Sequence, residues 1–173
     1  AHSQVTEQLL QQNSFFQQIC HVSASEIILN SPELTKILMR RDTVLICPDA
    51  GAKNRTQHLA HAIRLQRITP IEIVMCEKKR HPNTGKISHT EVHAEDLSLN
   101  TAVICDDICD GGATFIGIAK ALRERGCQRI ILYVTHGIFS KGLEVFEGYI
   151  DEIFTSNSFP QNTHPKLNMI DFA

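Results

Sequence analysis

Several features that mark particular protein classes are missing from this sequence. No apolar run approaches the roughly 18 residues of a membrane-crossing helix, and no signal peptide opens the chain, so no membrane partner and a cytoplasmic location are expected. The six cysteines, at positions 20, 47, 76, 105, 109 and 127, include no C-x-x-C pair. Four of them stand in or beside apolar runs, so reduced core thiols are expected. Net charge is nearly absent, −2 at pH 7, which gives no whole-chain attraction for nucleic acid and confines any anion site to local groups. No internal repeat is present. The chain opens "AHSQV" without a methionine and stops on the strand-like "NMIDFA", which suggests a fragment of a longer protein.

What is present fits one domain. The chain has 173 residues, 42% of them hydrophobic and 21% charged, enough for a real core. Apolar runs of strand length recur: "TVLIC" at 43–47, "IEIVMC" at 71–76, "TAVIC" at 101–105, "RIILYVT" at 129–135, "EIFT" at 152–155 and "LNMI" at 167–170. Near-continuous apolar strands suit a sheet covered on both faces. Helical patterns lie between them, "RTQHLAHAIRL" after the first run and "ATFIGIAKALRERG" after the third, the latter closing on Gly126. The order predicts an α/β fold, a doubly wound and mostly parallel sheet flanked by helices. A helical lead-in is expected within residues 1–30, over "VTEQLLQQNSFFQQI". Residues 77–88, "EKKRHPNTGKIS", are polar, basic and broken by Pro82 and Gly85, so a mobile functional loop is expected there.

The densest chemistry is "VICDDICDGGATF" at 103–115. In an open parallel sheet ligands bind beyond the carboxyl ends of strands, where loops lead into helix N-termini. Asp106 and Asp107 close an apolar strand, and Asp110, Gly111, Gly112, Ala113 and Thr114 form a turn opening a helix. Glycines let backbone N–H groups converge, and the helix terminus adds about half a positive charge, which together make a phosphate cradle. The adjacent carboxylates are acceptors without evident donors, an arrangement that hydroxyls or a cation would satisfy. A sugar phosphate supplies both needs. A solitary D-x-G-G would be an ordinary turn with Asp110 as helix N-cap; the two acids, the flanking strand and the helix turn the reading towards the sugar phosphate.

"VICDDICDGGAT" resembles the phosphoribosyl-pyrophosphate (PRPP) signature shared by type I phosphoribosyltransferases and ribose-phosphate pyrophosphokinases. "CPDAGAKNR" at 47–55 resembles the pyrophosphate loop S-P-D-x-G-G-x-x-R of the pyrophosphokinases, with Ala52 where a second glycine is usual. "CEKKRHP" at 76–82 resembles their flexible loop, "THGIFSKG" at 135–142 and "TSNSFP" at 155–160 resemble two further stretches of theirs, and "AHSQV" resembles a magnesium-binding segment. The resemblance implies a type I phosphoribosyltransferase-like fold and the carboxyl-terminal of two related halves, without its last helix.

By that resemblance the chain is the ribose-5-phosphate-binding half of an ATP-dependent ribose-phosphate pyrophosphokinase making PRPP and AMP. Asp106, Asp107, Asp110, Gly111, Gly112, Ala113 and Thr114 would hold the sugar phosphate. Asp49, Ala50, Gly51 and Ala52 would form the pyrophosphate loop, His2 and Asp49 would bind magnesium (Mg2+), and Lys78 and Arg80 would be the catalytic cations. A homo-oligomer is implied, with most of the adenine pocket supplied by the other half or a neighbouring subunit. Two alternatives stay open: a stand-alone PRPP-dependent phosphoribosyltransferase, and a non-catalytic PRPP-sensing or synthetase-associated regulatory subunit.

Overall fold

Strands form where apolar residues run unbroken, and helices where the apolar period changes to three or four. The computed structural model describes residues 22–80 and 87–171, together with Leu9 and Gln12. The expected lead-in helix falls almost wholly outside the described residues, as do His2 and Cys20. Two short helices come first, α1 (Ala24–Leu29) and α2 (Pro32–Leu38). Then follow β1 (Thr43–Cys47), α3 (Lys53–Arg64), β2 (Glu72–Arg80), β3 (Ile87–Val92), β4 (Thr101–Cys109) and α4 (Ala113–Glu124). The chain ends through β5 (Arg129–Gly137), β6 (Glu152–Ser156) and β7 (Leu167–Ile170).

The seven strands make one sheet in the order β3-β2-β1-β4-β5-β6-β7. Every neighbouring pair is parallel except β2 and β3. From β1 the chain first steps outward through β2 and β3, then returns to place β4 on the other side of β1. The switch point therefore lies between the carboxyl ends of β1 and β4, where a ligand crevice is expected in such sheets.

Both faces of the sheet are covered. Val44, Ile46, Ala102, Ile104, Ile130 and Leu132 pack on one side with Phe115, Ile118 and Leu122 of α4. Leu45, Val103, Ile131 and Tyr133 pack on the other with Ile28, Leu34 and Leu38 of α1 and α2 and with Leu59 and Ile63 of α3. The expected α/β architecture is thus observed. The five described cysteines are buried thiols, and burial pushes those of Cys76, Cys105 and Cys109 up to about 12.

Three local expectations are corrected. The strand begun at Thr101 does not end at Cys105 but continues to Cys109, because β5 supplies ladder partners up to the Cys109–Gly137 pair. Part of the expected loop at residues 77–88 is a hairpin: Glu77, Lys78 and Lys79 pair with Glu91, Thr90 and His89. Residues 81–86 lie outside the described residues. Finally α1 and α2, absent from the sequence reading, are each opened by a serine N-cap. The Ser23 side chain accepts from the Glu26 N–H while Glu26 accepts from the Ser23 N–H, and the Ser31 side chain accepts from the Leu34 N–H ahead of Pro32.

Candidate active site

At the carboxyl end of β1 the chain turns through Asp49 into a short 3-10 helix, Ala50–Ala52, that leads into α3. Asp49 Oδ1 accepts from the N–H groups of Gly51, at 3.0 Å, and Ala52, at 3.2 Å. Those bonds fix the carboxylate and leave Oδ2 to meet Lys78 Nζ at 2.7 Å. Burial, the largest influence on Asp49, pushes its carboxyl up, but the hydrogen bond and charge of Lys78 and the two backbone donors outweigh it. The carboxyl therefore lies below its usual value. Ala52, where the resemblance would have a glycine, has φ −82, in the right-handed region, so its methyl costs no backbone strain.

The acid pair on β4 has a partner that the sequence did not reveal. Arg55 of α3 places Nη2 2.5 Å from Asp106 Oδ1 and Nη1 3.0 Å from Asp107 Oδ2. The expectation of acceptors without donors is therefore corrected: a guanidinium from the first turn of α3 spans both carboxylates, a fork geometry suited to such a pair. Burial pushes the Asp106 carboxyl up to about 6; the Asp107 N–H that donates to it and the charge of Arg55 pull the other way, while the Asp107 carboxylate adds to the rise. Each carboxylate keeps lone pairs beyond those facing Arg55, so hydroxyl donors remain acceptable to both.

After Cys109 comes the turn that starts α4. Its N-cap is Gly112, at φ +76, with no side-chain cap bond. Asp110, two residues earlier, is therefore not the helix cap that a solitary turn would make of it. The left-handed conformation and the surroundings both require glycine at 112, since a Cβ there would lie 2.6 and 2.8 Å from atoms of the Phe146 ring. The first N–H groups of any helix lack intrahelical acceptors, and the N-cap glycine brings no side chain to cap them.

A cavity of about 290 Å³ opens over this turn. Asp106, Ile108, Asp110, Gly111, Gly112, Ala113, Thr114 and Phe115 line it, together with Lys78 and Lys141. Lys78, Asp106 and the turn from Asp110 to Thr114, half of the residues singled out in the sequence, thus share one space. Asp107 is not among the lining residues and stands beside it on Arg55. Ala50, Gly51 and Ala52 make the turn that positions Asp49. The side chain of Arg80 and all of His2 lie outside the described residues. Sequence reasoning gave no role to Arg55 or Lys141, although both stood within quoted motifs. Only the crossover of strands brings Arg55 to Asp106, 51 residues away.

The chain resembles known proteins over most of its length. Over 135 residues, 75% of the chain, it is 32% identical to a protein named ribose-phosphate pyrophosphokinase from Mycoplasmopsis pulmonis. Over 147 residues, 80% of the chain, it is 31% identical to one of the same name from Mycoplasma pneumoniae. The matches span only 40% and 42% of those relatives' own lengths. The crystal structure of phosphoribosylpyrophosphate synthetase from Mycobacterium smegmatis has the same fold, with a TM-score of 0.71 over 98% of this chain and 52% of that one, at 20% identity. These likenesses bear out the resemblance read from the motifs. Since the phosphoribosyl transferase domain family matches residues 6–166, nearly the whole chain, this protein belongs to that family.

Proposed function

We propose that the chain is the ribose-5-phosphate-binding part of an ATP-dependent ribose-phosphate pyrophosphokinase, in which the anomeric hydroxyl attacks the β-phosphorus of ATP to give PRPP and AMP. The observation that carries this reading is the cavity beyond the carboxyl end of β4, which joins a glycine-opened helix terminus, the carboxylates of Asp106 and Asp110 and a paired lysine. In this reading the backbone N–H groups at the start of α4 and the Thr114 hydroxyl hold the 5-phosphate. Asp106 and Asp107 accept hydrogen bonds from ring hydroxyls while Arg55 offsets their charge. Asp110 closes the sugar's other edge. The pyrophosphate loop, Asp49 to Ala52 in sequence, would meet the transferred group chiefly through Asp49, whose carboxylate the Gly51 and Ala52 N–H groups hold in place.

Asp49 suits a divalent cation, because it is a hard oxygen ligand locked by two backbone donors and already holds an ammonium group at 2.7 Å. Magnesium, with His2 as the second expected ligand, would neutralise charge on the transferred diphosphoryl group. Lys78 then serves as the cation that meets charge as it develops on that group, with Arg80 as its expected companion. A homo-oligomer, a cytoplasmic location, and an ATP pocket completed by another half or subunit belong to the same reading. Among the described residues, no helix is long and apolar enough to cross a membrane.

Steady-state kinetics of the full-length protein test the proposal. Lys78→Ala is expected to lower turnover by on the order of a hundredfold with a smaller change in the Michaelis constant, since a contact made only in the transition state acts on turnover. A raised Michaelis constant for ribose 5-phosphate with turnover intact would make the residue a binding group and remove its catalytic role.

A further inference from the structure

The loop after β5 is more constrained than a connection needs to be. Phe139 has φ 48, a left-handed conformation rare for a bulky residue, and Gly142 follows at φ 77. The N–H groups of Ile138 and Phe139 both donate to the carbonyl of Cys109, at 2.8 and 3.1 Å, and Gly142 N–H donates to the Phe139 carbonyl at 2.9 Å. Cys109 is the residue immediately before Asp110, so the loop is tied to the root of the turn that opens α4. The Phe139 ring meets Phe146 edge-on, with centroids 6.0 Å apart, and Phe146 is the ring that excludes a side chain at Gly112.

These ties deliver one side chain. Lys141 lies across Gly111, its Cε 3.3 Å, Cδ 3.5 Å and Nζ 3.8 Å from where a Cβ of Gly111 would stand. It lines the same cavity as the α4 terminus and Thr114. The other lysine of that cavity, Lys78, is paired with Asp49, and Arg55 nearby is paired with Asp106 and Asp107. No carboxylate within 4.0 Å of Lys141 is found among the described residues. Among the described residues its charge thus meets no carboxylate partner, in a cavity whose lining includes Asp106 and Asp110.

We infer that Lys141 is a phosphate-binding residue, an ammonium that reaches over Gly111 to pair with the phosphomonoester dianion seated on the α4 terminus. This rests on the reading above, in which that turn takes ribose 5-phosphate. Backbone N–H groups alone recognise the shape of a phosphate; a compact, rotatable ammonium beside them adds a preference for the doubly charged form. Lys141 would thereby help the site discriminate a phosphorylated pentose from its unphosphorylated counterpart.

The test is calorimetric titration of ribose 5-phosphate and of ribose into the full-length protein and its Lys141→Ala and Lys141→Arg variants, at low and high salt. Lys141→Ala is expected to weaken ribose 5-phosphate about tenfold and flatten its salt dependence, as loss of one charge-assisted contact should. Ribose itself should be unaffected, the ligand-free melting temperature should be unchanged, and Lys141→Arg should recover most of the affinity. Equal affinity of wild type and Lys141→Ala for ribose 5-phosphate would overturn the inference and leave the reading of the turn standing. A lowered ligand-free melting temperature with no rescue by arginine would make the residue structural and also overturn it. A wild type that binds ribose 5-phosphate no better than ribose would remove both.

Discussion

The two sides of the cavity are built by different means. On one side, the turn from Asp110 into α4 is set by packing: Gly112 at φ +76 lies under the Phe146 ring, which meets Phe139 of the β5 loop. On the other side, the β2–β3 hairpin that carries Lys78 presents a cross-strand charge cluster, with Lys79 Nζ 3.1 Å from Glu77 and 3.3 Å from Glu91. The first arrangement depends on shape and tolerates little change. The second depends on exposed charges that water can replace. A phosphate cradle needs backbone donors held at fixed positions, whereas a cation that meets a developing charge can be carried on a strand whose surface is solvated.

The contrast is tested most severely at Gly112. Gly112→Ala places a methyl within 2.6 Å of the Phe146 ring at a backbone angle that L-residues avoid. The two costs together are expected to destabilise the protein by about 3 kcal/mol, read as a lower midpoint in urea unfolding. A variant as stable as wild type would show that the turn is not set by packing.

The next effect in size concerns Arg55, which holds the β4 acids by charge rather than by packing. Arg55→Ala leaves Asp106 part-buried without its cation. The expected loss is about 2 kcal/mol near neutral pH, less than a fully buried pair would lose. The pH dependence has a definite sign. The folded-state carboxyl of Asp106 lies near 6, above the usual value for aspartate near 3.9, so its contribution to stability is present below the latter and lost as pH rises through the former. Removing Arg55 raises the folded value further. The gap between variant and wild type should therefore narrow as pH falls from 7.5 to 5, in unfolding curves measured at both. A gap independent of pH would assign the loss to packing.

The smallest effect is expected on the hairpin. Lys79→Ala breaks surface pairs between side chains roughly half exposed, and such pairs contribute little and are screened by salt. Unfolding curves at low and high salt should overlay those of wild type. A clear loss of stability in low salt would mean that the hairpin is held by its charges after all.

The serine caps of α1 and α2 show which parts were readable but unread. Ser23 with Glu26 and Ser31 with Pro32 are local signals, yet the helices they open are only 6 and 7 residues long, too short to display a period. The hairpin was misread for another reason. Lys78, Lys79 and Arg80 make a basic run that suggests a solvated loop, and only the partner strand from Ile87 to Val92 gives them a ladder. The strand extension to Cys109 likewise depends on β5 lying alongside.

The sequence by itself determined the layered α/β core, because continuous apolar strands need cover on both faces, and it determined the turn at Asp110, Gly111 and Gly112, because backbone donors converge only where side chains are absent. Its motifs also pointed to the family. Tertiary structure alone decided that Arg55 spans Asp106 and Asp107, that Phe146 enforces glycine at 112, and that Lys141 crosses Gly111. Each of these joins residues from separate connections of the sheet, and the physical reason is the same in all three. Their distances depend on strand order and register, which local patterns of residues do not encode.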